Sequence, residues 1–326
     1  MSRTNDAPPR PATLREVAEA AGVSIATASR VLNGITGKAS PDTVARVRAA
    51  ALGQAYRPLA AARDLRTGRS ALVAVLAPNL ANPTMATIAA SIEAALSRDG
   101  IGLVLCDTHD SAGLQDGAIA AMRALRPRAM VLLGAVASPG LEALRRSGEP
   151  VIFVGRRCPG GPAPFIGIDD RAAGAAVAHR LLAEGAQRLA VIHGPLFSAA
   201  TAARLAGFRE AAGGALAARD VLGGAGLDHL AIGEAAAQQL LAQGRLPEGL
   251  MCTSDLLAYA AHRVLEQSGA ALPRIWGFDG GPLNAWLAPW LHSVALPFQA
   301  YGIAVREWLA GAPGAEAGAI LPHRLA

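Results

Sequence analysis

The chain has 326 residues, 52% of them hydrophobic, which suits a small module joined to a larger body with a buried core. Its net charge is +5, and the excess lies at one end: residues 1–68 hold ten basic and five acidic side chains, while bases and acids balance over 69–326. Cys106, Cys158 and Cys252 are odd in number and far apart, which excludes a disulfide framework or a cysteine zinc site, and no apolar run nears the ~18 residues of a membrane span.

Residues 1–12 read as a disordered arm, polar and with Pro8, Pro9 and Pro11 close together. They lack the apolar core of a signal peptide, so a cytoplasmic location is expected. Residues 13–58 read as three short helices. Thr13-Leu14-Arg15-Glu16 is a capping box, in which the Thr13 hydroxyl accepts from the Glu16 N–H and the Glu16 carboxylate reaches back. Leu14, Val17, Ala18 and Ala21 form one apolar stripe, and Gly22 ends the helix where positive φ costs glycine little. Ser24 caps a second helix over 25–32. At helical spacing, Ile25, Ala26, Ser29, Arg30 and Asn33 share an arc of roughly 140°. Thr27, Ala28, Val31 and Leu32 face the other way, toward the first helix. The first arc carries a guanidinium, a hydroxyl and an amide, groups that read base edges in a major groove. Ser40-Pro41 starts a third helix, on which Val44, Val47 and Ala51 complete a small core. Lys38, the chain's single lysine, precedes it as a candidate phosphate contact. A basic module on a neutral body points to an anionic partner, and DNA is the commonest; a three-helix bundle with a solvated basic face is the alternative.

Residues 59–69 form an Ala- and Arg-rich linker. From there the pattern changes. Short apolar runs at 71–77, 101–106, 129–134, 150–154, 189–193, 249–252 and 274–278 alternate with helical stretches at 84–98, 114–125, 171–184, 200–212, 233–243 and 255–268. Continuous apolar strands between helices predict parallel sheets covered on both faces, and so many units predict two lobes.

The string TLREVAEAAGVSIATASRVLNG, Thr13 to Gly34, resembles the DNA-binding headpiece of the lactose-repressor (LacI/GalR) family, with Ala28 where valine is usual. The likeness runs on through Lys38-Ala39-Ser40-Pro41 and Tyr56-Arg57-Pro58. Ala62-Arg63-Asp64-Leu65 resembles the family's hinge helix, which implies that Leu65, beside Ala62, wedges between base pairs in the minor groove. In the body, Pro78 to Pro83, Phe165 to Asp170, Arg204 to Phe208, Thr253-Ser254-Asp255 and Gly277-Phe278-Asp279 are similar to the same family. The resemblance implies a periplasmic-binding-protein-like core over 70–326, with one lobe near 70–168 plus a return at 298–312, and the other over 169–296. No Arg-x-Ser-type closing strand follows Leu321 to Leu325.

In α/β lobes, ligands sit beyond the carboxyl ends of the strands. Asn79, Asp107, Arg204, Ser254 and Asp279 fall there, and the resemblance makes Arg204 and Asp279 effector ligands. Thr84 and Asp228 are further candidates, Asp255 reads as a helix cap, and Phe197 and Trp276 lie near strand ends as possible pocket walls. The resemblance argues against a purine effector, since Ser198 and Gly155 stand where purine-responsive relatives carry arginine and tryptophan. A sugar or sugar acid is expected, together with double-stranded operator DNA and a second copy of the chain as partners, and no membrane, metal or cofactor. A periplasmic sugar-binding protein is the main alternative. An enzyme is disfavoured because the chain has no phosphate-binding loop, nucleophile elbow or dinucleotide fingerprint.

Overall fold

The computed structural model describes residues 12–56, 70–314 and 316–326. The arm up to residue 11 and the whole linker over 59–69, including Ala62 and Leu65, lie outside the described residues. The chain divides into two units, Met1–Ser70 and Ala71–Ala326.

The first unit holds α1 (Leu14–Ala20), α2 (Ile25–Leu32) and α3 (Pro41–Gly53). Each starts at a side-chain cap: Thr13, with the full capping box to Glu16; Ser24, accepting from Thr27; and Ser40, with Pro41 in the first turn. Gly22 adopts φ +63° after the Ala21 cap, and the Val23 N–H bonds back to the Ala18 carbonyl, which turns the chain into α2. Ala18, Ala21, Ala28, Val31 and Val47 form the core, flanked by Leu14, Leu32 and Val44. The caps and small side chains let three short helices pack closely, and none of them would be stable alone.

The second unit contains two six-stranded sheets. The first lobe contains β1 (Leu72–Ala77), α4 (Pro83–Leu96), β2 (Gly102–Asp107), α5 (Ala112–Ala124), β3 (Met130–Leu132), α6 (Pro139–Arg146), β4 (Val151–Val154) and β5 (Phe165–Gly167). The second contains α7 (Asp170–Ala183), β6 (Leu189–His193), α8 (Ala199–Ala212), β7 (Leu216–Gly223), α9 (His229–Ala242), β8 (Gly249–Cys252), α10 (Asp255–Gln267), β9 (Arg274–Asp279), α11 (Asn284–Leu287) and β10 (His292–Ala295). The chain then returns to the first lobe as α12 (Phe298–Ala310) and β11 (Gly318–Ile320), and crosses back as β12 (Arg324–Leu325). Strand orders are β11-β5-β4-β3-β1-β2 and β12-β10-β9-β8-β6-β7, parallel throughout except for β12.

The continuous apolar strands have a simple cause. In β1, Val73, Val75 and Ala77 pack with Ile88 and Ile92 of α4, while Ala74 and Leu76 pack with Ile119 and Met122 of α5. In β6, Leu189 and Val191 face one core and Ala190 and Ile192 the other. Alternate side chains leave opposite faces, so covering both faces makes every position apolar. Cys252 is fully buried in this way, whereas Cys106 and Cys158 are half-buried.

Two expectations are corrected. The short end does close the second sheet: β12 pairs antiparallel with β10, and Ser293 and Ala326 exchange N–H···O bonds of 2.9 and 3.0 Å. Strands β5, β7, β10 and β11 were also not expected. At three or four residues, β5, β10 and β11 are too short to show a pattern, and β7 (LAARDVLG) is a polar edge strand.

Candidate functional site

Two surfaces carry the functional residues. On the first unit, Ile25, Ala26, Arg30 and Asn33 are exposed and Ser29 is half-buried, while Ala28 and Val31 are buried beneath them. The Arg30 Nε donates to the Ala26 carbonyl at 3.1 Å, which steadies the guanidinium along the helix, and the Asn33 amide donates to the Ser29 carbonyl at 2.6 Å. Lys38 is exposed nearby in sequence. Other expected DNA contacts have structural work here. The Thr13, Ser24 and Thr27 hydroxyls take part in caps, Ser24 and Thr27 bonding each other at 2.9 Å, and Leu14 packs on the core.

On the second unit, a cleft lies between the lobes, lined by residues of both sheets' carboxyl ends. Asn79, Thr84, Arg204, Ser254 and Asp279 all line it. Asp228 does not; its carboxylate caps α9, accepting from the Ala231 N–H at 3.0 Å. Phe197 and Trp276 are not among the lining residues either. Phe197 projects outward, and Trp276 is buried in the core against His292. Asp255 is not the helix cap: Ser254 caps α10, while the Asp255 carboxylate accepts from Ser293 Oγ at 2.7 Å, Asn284 at 2.8 Å and the Gly281 N–H at 3.1 Å. It braces the turn that carries Asp279.

That turn is strained. Asp279 has φ +115° and Gly280 +63°. A non-glycine residue there costs of order 1–3 kcal/mol, a cost tolerated where surrounding bonds over-determine the backbone. A side chain at 280 would meet the Ala295 backbone at 2.5 Å, so only glycine lets β9 and β10 approach this closely.

Helix packing sets the position of Arg204. At Gly174 an added Cβ would lie 2.0 Å from the Arg204 carbonyl oxygen, and at Gly207 1.9 Å from that of Arg171. These two glycines let α7 and α8 touch backbone to backbone. The contact brings Asp170, in the first turn of α7, to Arg204: Nε donates to Asp170 Oδ1 at 2.8 Å and Nη1 to the Thr253 carbonyl at 2.8 Å. Asp279 Oδ1 lies 4.0 Å from Nη1, and the Phe278 ring sits under the guanidinium at 4.5 Å. Burial works against the Arg204 charge, but Asp170 and Asp279 outweigh it and hold its pKa up.

Burial and the neighbouring Asp255 carboxylate push the Asp279 pKa up to about 7, against the opposing pull of Arg204 and of the Thr84 hydroxyl. Thr84, from the first lobe, and Asp279, from the second, line the cleft together. The folded state thus holds the Asp279 proton more tightly than the unfolded chain. The associated stability is fully present below about pH 4, the ordinary Asp range, and is lost as pH rises through about 7. Asp279→Asn, which keeps a neutral group of the same shape, is expected to flatten that loss in urea titrations between pH 4 and 7. A variant whose midpoint fell as steeply as that of the parent chain would assign the loss to other groups.

Sequence reasoning missed Asp110, Arg156, Asp170, His229 and Tyr301, all in the cleft. Asp110 and Arg156 lie just beyond β2 and β4, so the strand-end rule had the signal to find them. His229 needed the start of α9, which lies four residues before the expected one, and Tyr301 enters from the return helix α12 with no local signal.

Residues 13–58 match the family described as bacterial regulatory proteins, lacI family, and residues 70–276 match periplasmic binding proteins and sugar binding domain of LacI family. The HTH-type transcriptional regulator GntR of Pseudomonas aeruginosa is 32% identical over 307 residues, covering 91% of this chain and 88% of that protein. A complex of the transcriptional regulator CelR with cellobiose has a TM-score of 0.68 at 26% identity, covering 97% of this chain and 98% of that one. The lac repressor dimer bound to operator and the anti-inducer ONPF has a TM-score of 0.83 with the same coverage; at 24% identity this is a likeness of fold. With a reading helix in one unit, a polar cleft in the other and family matches over both, the chain belongs to the LacI family of bacterial regulatory proteins.

Proposed function

We propose that the chain is a cytoplasmic repressor without catalytic activity, which binds a near-palindromic operator as a homodimer and whose operator affinity is set by a sugar or sugar acid held between the lobes. The carrying observation is the cleft itself, where Arg204 and Asp279 of the second lobe line one space with Asn79 and Thr84 of the first. The cleft encloses about 90 Å³, well below the ~300 Å³ of ordinary ligand pockets, so an effector has to widen it and alter the spacing of the lobes. A ligand that binds the two lobe arrangements with different affinity shifts their balance. The resemblance of residues 59–69 to a hinge helix, with Ala62 and Leu65 in the minor groove, supplies a route from the cleft to the DNA. The cellobiose held by CelR supports the ligand class. The second copy is supported by the exposed apolar Leu283, Trp286 and Leu287 at and beside α11. A periplasmic binding protein would share the cleft but has no use for a helix-turn-helix.

Selection from random DNA tests the proposal, with and without a panel of sugars and sugar acids. A near-palindrome with two half-sites is expected to enrich, and its binding to change with one panel member. If no palindrome is enriched, the proposal fails. Arg30→Ala is expected to weaken specific binding by ~1–3 kcal/mol and to relax preference at one base pair per half-site. An equal loss on every sequence would make Arg30 a phosphate contact.

A further inference from the structure

We infer that the cleft selects an uncharged polyhydroxylated ligand and discriminates against the carboxylate and phosphate forms of the same molecule, because every cation facing the cleft is already committed to a carboxylate. This rests on the effector reading above and narrows it from sugar or sugar acid to neutral sugar.

Among the described residues lining the cleft, the arginines are Arg156 and Arg204. Arg156 is held in bidentate fashion, Nη1 to Asp110 Oδ1 at 2.6 Å and Nη2 to Oδ2 at 3.2 Å, with side chains only 14% and 4% exposed. The planar fork of a guanidinium is the group that grips a carboxylate or phosphate, and here Asp110 occupies it. Arg204 is committed to Asp170 and the Thr253 carbonyl, with Asp279 at 4.0 Å. Two guanidiniums thus face three carboxylates: Asp110, Asp170 and Asp279.

His229 does not add a third cation. Burial, reinforced by Arg204 and Arg156, holds its pKa below the usual range. Its Nδ1 lies 2.8 Å from Ser254 Oγ. Ser254 Oγ also accepts from the Leu257 N–H, and the imidazole, with a single N–H, shares one hydrogen bond with this hydroxyl. The ring is neutral.

An anionic ligand entering this cleft would meet a field that is already balanced or negative. To gain a guanidinium it would have to displace Asp110 or Asp170 and leave a buried carboxylate unpaired, which is strongly unfavourable. Hydroxyl groups face no such obstacle. Asn79, Thr84, Ser198 and Thr201 offer both donors and acceptors, and a sugar hydroxyl can answer either. Ile88, Leu133 and Leu296 supply apolar surface for the C–H faces of a ring.

The test is calorimetry on the full chain with neutral pentoses, hexoses and disaccharides, the matching uronic and aldonic acids and the sugar phosphates, with release from the selected operator followed in parallel. A neutral sugar is expected to bind, and its acid and phosphate counterparts to bind about 100-fold more weakly. Asp110→Asn, which frees the Arg156 fork while preserving shape, is expected to improve binding of the acid form about tenfold. An acid or phosphate that binds the parent chain as tightly as its neutral counterpart overturns the inference and leaves the effector reading standing. If nothing in the panel binds or alters operator affinity, the effector reading fails and the inference falls with it.

Discussion

Arg204→Met is expected to cost about 3–5 kcal/mol of stability and to abolish the response to effector. Methionine fills much of the same space, so the loss is electrostatic. Asp170 and Asp279 would be left buried side by side without their shared cation, and the Thr253 carbonyl without its donor. Removing one partner of a buried pair is costly because the other keeps its desolvation penalty. Urea unfolding measures the loss. The double variant Arg204→Met/Asp170→Asn is expected to recover a large part of it, since one orphaned charge is then removed. A single-variant loss below about 1 kcal/mol would mean that the carboxylates are solvated and that Arg204 does not hold the cleft together.

Gly207→Ala is expected to cost about 3 kcal/mol through overpacking, although alanine is the better helix former. The new methyl would lie 1.9 Å from the Arg171 carbonyl oxygen, so α7 and α8 would have to part by roughly an ångström. Because Asp170 and Arg204 ride on these two helices, the separation also lengthens their ion pair. The variant is therefore expected to bind effector more weakly as well as to unfold earlier. Thermal melts and calorimetry on the same sample distinguish this from a purely local clash, which would lower the melting temperature while leaving affinity intact.

What could be read in advance followed from short-range physics. The capping box at Thr13, the turn at Gly22 and the cap at Ser24 each depend on a few consecutive residues, and all three stand in the structure as the sequence implies. The apolar runs at 71–77, 189–193 and 249–252 became β1, β6 and β8 within a residue, because a strand covered on both faces has no polar position to blur its edges. Strand ends also pointed to Asn79, Ser254 and Asp279, which the cleft brings together.

Tertiary structure decided the rest. The sequence puts Asp228 among the effector candidates and reads Asp255 as a helix cap. One became a plain cap and the other a brace for a strained turn, a difference set by Ser293 and Asn284, 38 and 29 residues away from Asp255. Arg156 carries no local sign of its partner; the fold brings it to Asp110, 46 residues away. The reading face of α2 and the alternation of strand and helix were therefore determined by the sequence alone, since both rest on periodicity and caps within one element. Which charges meet in the cleft, and that each guanidinium there is held by a carboxylate, was decided only by the fold. Pairing across tens of residues depends on sheet order and helix contact, and neither has a signature in local sequence.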